Sequence, residues 1–144
     1  SQSRMEDSWG AERRTLQKLL GESDVVSLHV PSSAETRGLF NYQTFSQMKP
    51  GSLFINTARG DLVDEAGLLK ALDEGLLGGA GLDVFSREPE VPRELVDHPK
   101  VVALPHIGSA TVVTRRAMAE LAVKNAAAVL AGRAPLTPVL QGDG

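Results

Sequence analysis

Ser52-Leu53-Phe54-Ile55-Asn56-Thr57-Ala58-Arg59-Gly60-Asp61-Leu62-Val63-Asp64-Glu65 is the stretch whose reading decides the fold. Its first five residues form a short apolar run after the break Lys49-Pro50-Gly51, and so read as a buried strand. Asp64 can cap the helix that follows, with Leu68, Leu69 and Leu72 on one face and Gly75 near the end. Strand, polar turn and helix therefore succeed one another.

The same alternation extends outward. Upstream, Leu16, Leu19 and Leu20 recur at helical spacing in residues 12–20, with Gly21 as a stop. Residues 25–30 are a β-branched run ended by Pro31, which cannot donate to a sheet ladder. Residues 41–48 suit a helix of one or two turns. Downstream, residues 79–84 and 101–104 read as two further strands, the second stopped by Pro105. The loop between them is rich in Pro and acidic residues. A last helix spans residues 111–130, with Val113, Ala117, Leu121 and Ala128 on one side and Gly132 ending it. The extended segment 134–139 is expected to dock on another element. Strands separated by helices imply parallel pairing through right-handed crossovers, hence an open α/β sheet with flanking helices.

Composition narrows the function. The 144 residues suffice for one domain with a core, and the formal charge of −3 gives no reason to expect a nucleic-acid partner. A small anionic ligand would still need a local cation. With no cysteine, disulfides, thiolate metal sites and Cys nucleophiles are excluded. The apolar runs are far shorter than the roughly 20 residues that span a bilayer, and the start lacks a signal-peptide core. The expectation is a soluble, cytoplasmic protein without a membrane partner. Three scattered His residues, 29, 98 and 106, predict no metal centre, and no metalloprotease, nucleophile-elbow or Walker-type motif is present. Gly78-Gly79-Ala80-Gly81 enters a strand, whereas a dinucleotide fingerprint leaves one, so these glycines read as close packing.

Ligands of open parallel sheets bind beyond the carboxyl ends of the strands, where Pro31, Ser32, Asn56, Thr57, Ala58, Arg59, Gly60, Asp83, His106, Gly108 and Ser109 fall. The Arg59 fork suits two-point recognition of a carboxylate; the alternative is an ion pair with Asp61 or Asp64. An imidazole at His106 can protonate a developing alkoxide near neutral pH, and Glu88 can hold its other nitrogen; a satisfied structural histidine is the competing reading.

The blocks at residues 24–31, 54–65, 81–89 and 105–111 resemble, in this order, the D-isomer-specific 2-hydroxyacid dehydrogenases. The helix ending Gly132-Arg133-Ala134-Pro135 is most similar to the glyoxylate and hydroxypyruvate reductase branch. The resemblance implies a Rossmann-type NAD(P)-binding domain that interconverts a small 2-oxo acid and the D-2-hydroxy acid. Arg59 would bind the substrate, His106 donate the proton and Glu88 orient it. Pro31, Thr57, Ala58 and Asp83 would line the cofactor, with Gly108 and Ser109 closing the site. It also implies that the first strand, with its Gly-x-Gly-x-x-Gly turn, and most of a substrate domain are missing. Residues 1–110 would then be the later part of the dinucleotide domain, with an unpaired sheet edge, and 111–144 a helix and tail returning to the substrate domain. Arg4, in the loop that faces the adenosine ribose, leans toward NADP over NAD. The full-length protein is expected to be a homodimer, and the chain alone inactive. The alternative from another class is a cofactor-sensing, corepressor-like binding or dimerisation module.

Overall fold

Four parallel strands lie side by side in sequence order in the computed structural model, which describes residues 10–139. They are β1 (Val25–Leu28), β2 (Ser52–Asn56), β3 (Leu77–Leu82) and β4 (Val101–Ala103). Helices α1 (Leu16–Glu22), α2 (Tyr42–Ser46), α3 (Glu65–Asp73) and α4 (Arg93–Val96) connect or precede them, and α5 (Val112–Leu130) follows. The chain divides into two compact units between Pro105 and His106, so the sheet with α1 to α4 forms one and α5 with its tail the other.

The register carries the functional consequence. Leu28 pairs with Asn56, Asn56 with Leu82, and Leu82 with Ala103. All four carboxyl ends therefore reach the same edge of the sheet in one row, about 4.8 Å from strand to strand.

The core of this unit is built on β2. The Phe54 ring lies 5.0 Å from that of Phe40 and 5.1 Å, edge-on, from that of Phe45 on α2. All three are essentially inaccessible, as are Leu68 and Leu72 of α3, Leu77 of β3 and Leu95 of α4. The glycines of β3 permit close approach: a Cβ on Gly78 would overlap the Gly51 carbonyl oxygen, in agreement with a packing role. Among the described residues β1 pairs only with β2, and Val25 is half exposed.

Local chemistry moves several boundaries. The first helix begins at Leu16, not residue 12, because the Thr15 side chain accepts the Lys18 amide. It runs through Gly21, since the Ser23 N–H closes the last turn on the Leu19 carbonyl without a left-handed residue. β1 ends at Leu28 and β3 begins two residues early, at Leu77. Asp64 occupies the cap position of α3, but its side chain makes no capping bond, contrary to expectation. Its carboxylate packs instead against Gly67, with Oδ2 2.8 Å from where a Cβ there would lie. The four-residue α4, too short for any periodicity, is anchored by buried Leu95 within the Pro-rich loop.

In the second unit Thr111 caps α5, its hydroxyl oxygen accepting the Thr114 amide at 3.1 Å. Of the expected apolar side only Ala128 is buried, and Val113 is 79% exposed. The tail docks back on α5 itself: Asn125 Oδ1 accepts the Leu136 and Thr137 amides, and its Nδ2 donates to Thr137 Oγ1. No helix of the described residues is long and apolar enough to cross a membrane.

Phe54→Ala should cost about 3–5 kcal/mol of unfolding free energy in denaturant titration, through the cavity it leaves among Phe40, Phe45 and the α3 leucines. Val113→Ala, at an exposed position, should change it by less than about 0.5 kcal/mol.

Candidate functional site

The turn after β2 is organised by one buried amide. The Asn56 side chain is 1% exposed; its Oδ1 accepts the Ala58 N–H at 3.0 Å, and its Nδ2 donates to the Arg59 carbonyl at 2.9 Å. Both ends of the turn Thr57-Ala58-Arg59 are thus fixed from beneath. The Asn56 carbonyl also accepts the Asp83 N–H at 3.0 Å, which ties this turn to the end of β3. Gly60 completes the junction, because a Cβ there would overlap the Phe85 carbonyl group. Only glycine lets the two loops stack backbone on backbone.

On this platform Arg59 is exposed, and its Nη1 donates to the Ala58 carbonyl at 2.7 Å. Among the described residues it makes no ion pair. Asp61, the nearer of the two carboxylates considered for it, is engaged elsewhere: its Oδ2 accepts from the Ser32 hydroxyl at 2.6 Å and from Arg37 Nε at 3.3 Å. The Ser32 hydrogen bond first, then the Arg37 guanidinium, hold the Asp61 carboxyl below the usual carboxylate range. A depressed folded-state pKa means that these contacts are present at neutral pH and are lost only as pH falls through that lowered value.

Arg59 and Ala58 share a cavity of about 620 Å³ with His29, Val30, Pro31 and Ser32. Three residues expected in the site, Pro31, Ala58 and Arg59, therefore line one concavity between the loops after β1 and β2. Thr57 is exposed at the same sheet edge, and Asp83, 3% exposed, is the first residue beyond β3. Glu88 lies in the next loop, where its Oε1 accepts the Phe85 N–H at 2.8 Å and the Glu88–Pro89 peptide bond is cis. That loop is pinned to α3 by Glu65, whose carboxylate accepts from the Ser86 amide and hydroxyl.

His106, Gly108 and Ser109 belong to the second unit. His106 has a left-handed backbone, φ 53°, a conformation that residues other than glycine adopt rarely and that clusters at functional positions. Gly108 and Ser109 are exposed in the turn that follows. Arg4 lies outside the described residues. Among the described residues no group of three or more His, Asp or Glu is arranged to hold a metal ion.

Asn56 and Ser32 were expected at the carboxyl edge, whereas the turn support by Asn56, the Glu65 anchor and the Ser32–Asp61 bond were not. Asn56 carried a usable signal, an Asn two residues before the amide it captures. Glu65 carried no reading of its own in the sequence. The Ser32–Asp61 bond joins residues 29 apart, and no local pattern marks it.

Comparison with known proteins settles the family. Residues 1–108 match the model of the D-isomer specific 2-hydroxyacid dehydrogenase, NAD binding domain. The chain belongs to this family. As a 2-hydroxyacid dehydrogenase domain it is 47% identical over 137 residues to a glyoxylate reductase of Pyrococcus furiosus, covering 95% of this chain and 41% of that enzyme. A crystal structure of a Thermus thermophilus protein superposes with a TM-score of 0.82 at 51% identity, over 88% of this chain and 41% of that one. An NADPH-dependent glyoxylate/hydroxypyruvate reductase from Sinorhizobium meliloti, in complex with NADP and malonate, gives 0.79 at 38%, covering 95% and 48%. The chain thus spans about two fifths of the length of the curated relatives it matches.

Gly60→Ala should cost this dehydrogenase domain about 3 kcal/mol, at the upper end of what overpacking does, because backbone and not a flexible side chain opposes the added methyl. Thermal unfolding against wild type reads the loss, and Gly21→Ala, with open space around its Cβ position, is the control.

Proposed function

We propose that the full-length protein reduces a small 2-oxo acid of the glyoxylate or hydroxypyruvate type to the D-2-hydroxy acid, with a nicotinamide dinucleotide as reductant. One observation carries this reading: a guanidinium without an ion-pair partner among the described residues lines a cavity at the carboxyl edge of a parallel sheet. Such a cation suits a small carboxylate, and the similarity to glyoxylate reductases supports this substrate class.

The residues present fit the nicotinamide end of the cofactor. Pro31 and Ala58 line the open cavity, Thr57 is exposed at the same edge, and Asp83 follows β3. No Gly-x-Gly-x-x-Gly turn occurs in the sequence, so this chain does not itself supply the pyrophosphate cradle. Pro31, Thr57, Ala58 and Asp83 would hold the nicotinamide side, with Gly108 and Ser109 closing over it, and Arg4 gives a lean toward NADP. A reduced nicotinamide supplies the hydride when bound.

Arg59 binds the substrate carboxylate and polarises the carbonyl, fixing which face is presented. As hydride reaches the carbonyl carbon, the C–O π electrons pass to oxygen, and His106 gives that oxygen its proton. Glu88 orients the imidazole. In this proposal the full-length protein works in the cytoplasm, a reducing compartment that a chain without cysteine suits, and as a homodimer, as the family resemblance implies.

The test is turnover by the full-length protein with glyoxylate and each reduced cofactor. Arg59→Lys should lower kcat/KM about 100-fold, mainly through KM, because a point charge replaces the two-pronged fork. His106→Ala should lower kcat by about 100- to 10,000-fold while cofactor affinity persists. Unchanged turnover in either variant removes that residue from the mechanism, and cofactor binding without any turnover in wild type would favour a sensing module.

A further inference from the structure

We propose that Asp61 is the positioning residue that sets the substrate cavity, by clamping the loop after β1 to the loop after β2 through Ser32 and Arg37. This rests on the reading of Arg59 as the carboxylate site. Asp61 lies two residues beyond Arg59, close enough in sequence to neutralise it, yet its carboxylate is engaged by Ser32 and Arg37 instead. A single oxygen, Oδ2, accepts both the Ser32 hydroxyl and Arg37 Nε, and the Asp61 carbonyl oxygen accepts the Gly38 N–H at 2.9 Å. Side chain and backbone of one residue therefore hold three points of the segment 32–38.

The segment's other hydrogen bonds among the described residues are local, with Asn41 Nδ2 donating to the Gly38 carbonyl, and Phe40, two residues on, pairs through its backbone with Leu62 and Asp64. Ser33 and Thr36 exchange bonds with one another, and the Thr36 hydroxyl donates to the Pro31 carbonyl at 2.8 Å. These contacts give it shape but do not attach it to β2. Ser32 is also a cavity-lining residue, so the distance between Pro31 and Arg59 across the cavity depends on where Asp61 holds the Ser32 hydroxyl. The clamp does two things at once: it fixes the far wall, and it occupies a carboxylate that would otherwise pair with Arg59. Arg37 offsets the charge of Asp61.

The experiment is a double-mutant cycle in the full-length protein. It reads the Kd of oxamate, an unreactive isostere of a 2-oxo acid, together with KM and kcat. Asp61→Ala and Ser32→Ala should each weaken oxamate about 3- to 10-fold, the size expected for one charge-assisted hydrogen bond lost. The double variant should be no weaker than the weaker single, since both remove the same bond. KM should rise by more than kcat falls, and Asp61→Asn, whose amide oxygen can still accept from Ser32, should recover part of the loss. Amide exchange should quicken in residues 32–38. If Arg59→Lys abolishes oxamate binding while Asp61→Ala and Ser32→Ala leave it unchanged, or if their effects add, the clamp is refuted and the Arg59 reading stands. If Arg59→Lys leaves oxamate binding intact, the underlying reading fails and the proposal with it.

Discussion

Parallel pairing in a common register, from Leu28 through Asn56 and Leu82 to Ala103, is the constraint on which the rest of the sheet unit depends. Each strand must be re-entered from its far end, so every crossover carries the chain away and back, and every strand delivers its next residues to the same edge. Loops far apart in sequence become neighbours there at no cost in local strain. A slip of one residue at β2 would turn Phe54 out of the aromatic cluster and send Asn56 to the wrong height beneath the turn.

Above the ladder, precision comes from a few buried polar contacts. Asn56 satisfies its amide entirely within its own loop and uses its carbonyl to reach Asp83, so a single residue determines both the conformation of the Arg59 turn and its distance from β3. Left unmade, such bonds would leave a buried amide unpaired at about 1–3 kcal/mol, which holds the turn in one conformation. Gly60 acts by absence, removing the atom that would push the turn off the Phe85 backbone. Glu65 then anchors the following loop to the start of α3. Arg59 is presented by a rigid frame although its own side chain is exposed.

Asp61 belongs to a different energetic class. The Arg37–Asp61 pair is largely exposed and, as a contribution to folding, is worth about 1 kcal/mol at most. Its importance is geometric: the short Ser32 hydrogen bond couples two loops that the ladder brings near one another without fixing their separation. The second unit shows the opposite balance. α5 is well capped and holds its own tail through Asn125, yet leaves most of its apolar side chains exposed.

Alternation of short apolar runs with helical periodicity, punctuated by Pro31, Pro50-Gly51, Gly75 and Pro105, determined the open parallel sheet from the sequence alone. Those signals reflect local backbone preferences and the 2.0 and 3.6 residue periods, which a chain carries wherever it folds. The residues beyond each strand end, Arg59 and Asp83 among them, were legible for the same reason, since topology alone sends them to one edge. Boundaries such as Leu77 and Leu16, the unused cap at Asp64 and the short α4 were not, because they depend on which partner completes a hydrogen bond. Only the tertiary structure decided that Arg59 pairs with neither Asp61 nor Asp64, that Asn56 supports its turn, and that Ser32 reaches Asp61 across 29 residues. Contacts of that kind arise from where strand register brings two loops, and register is a property of the assembled sheet that no single segment encodes.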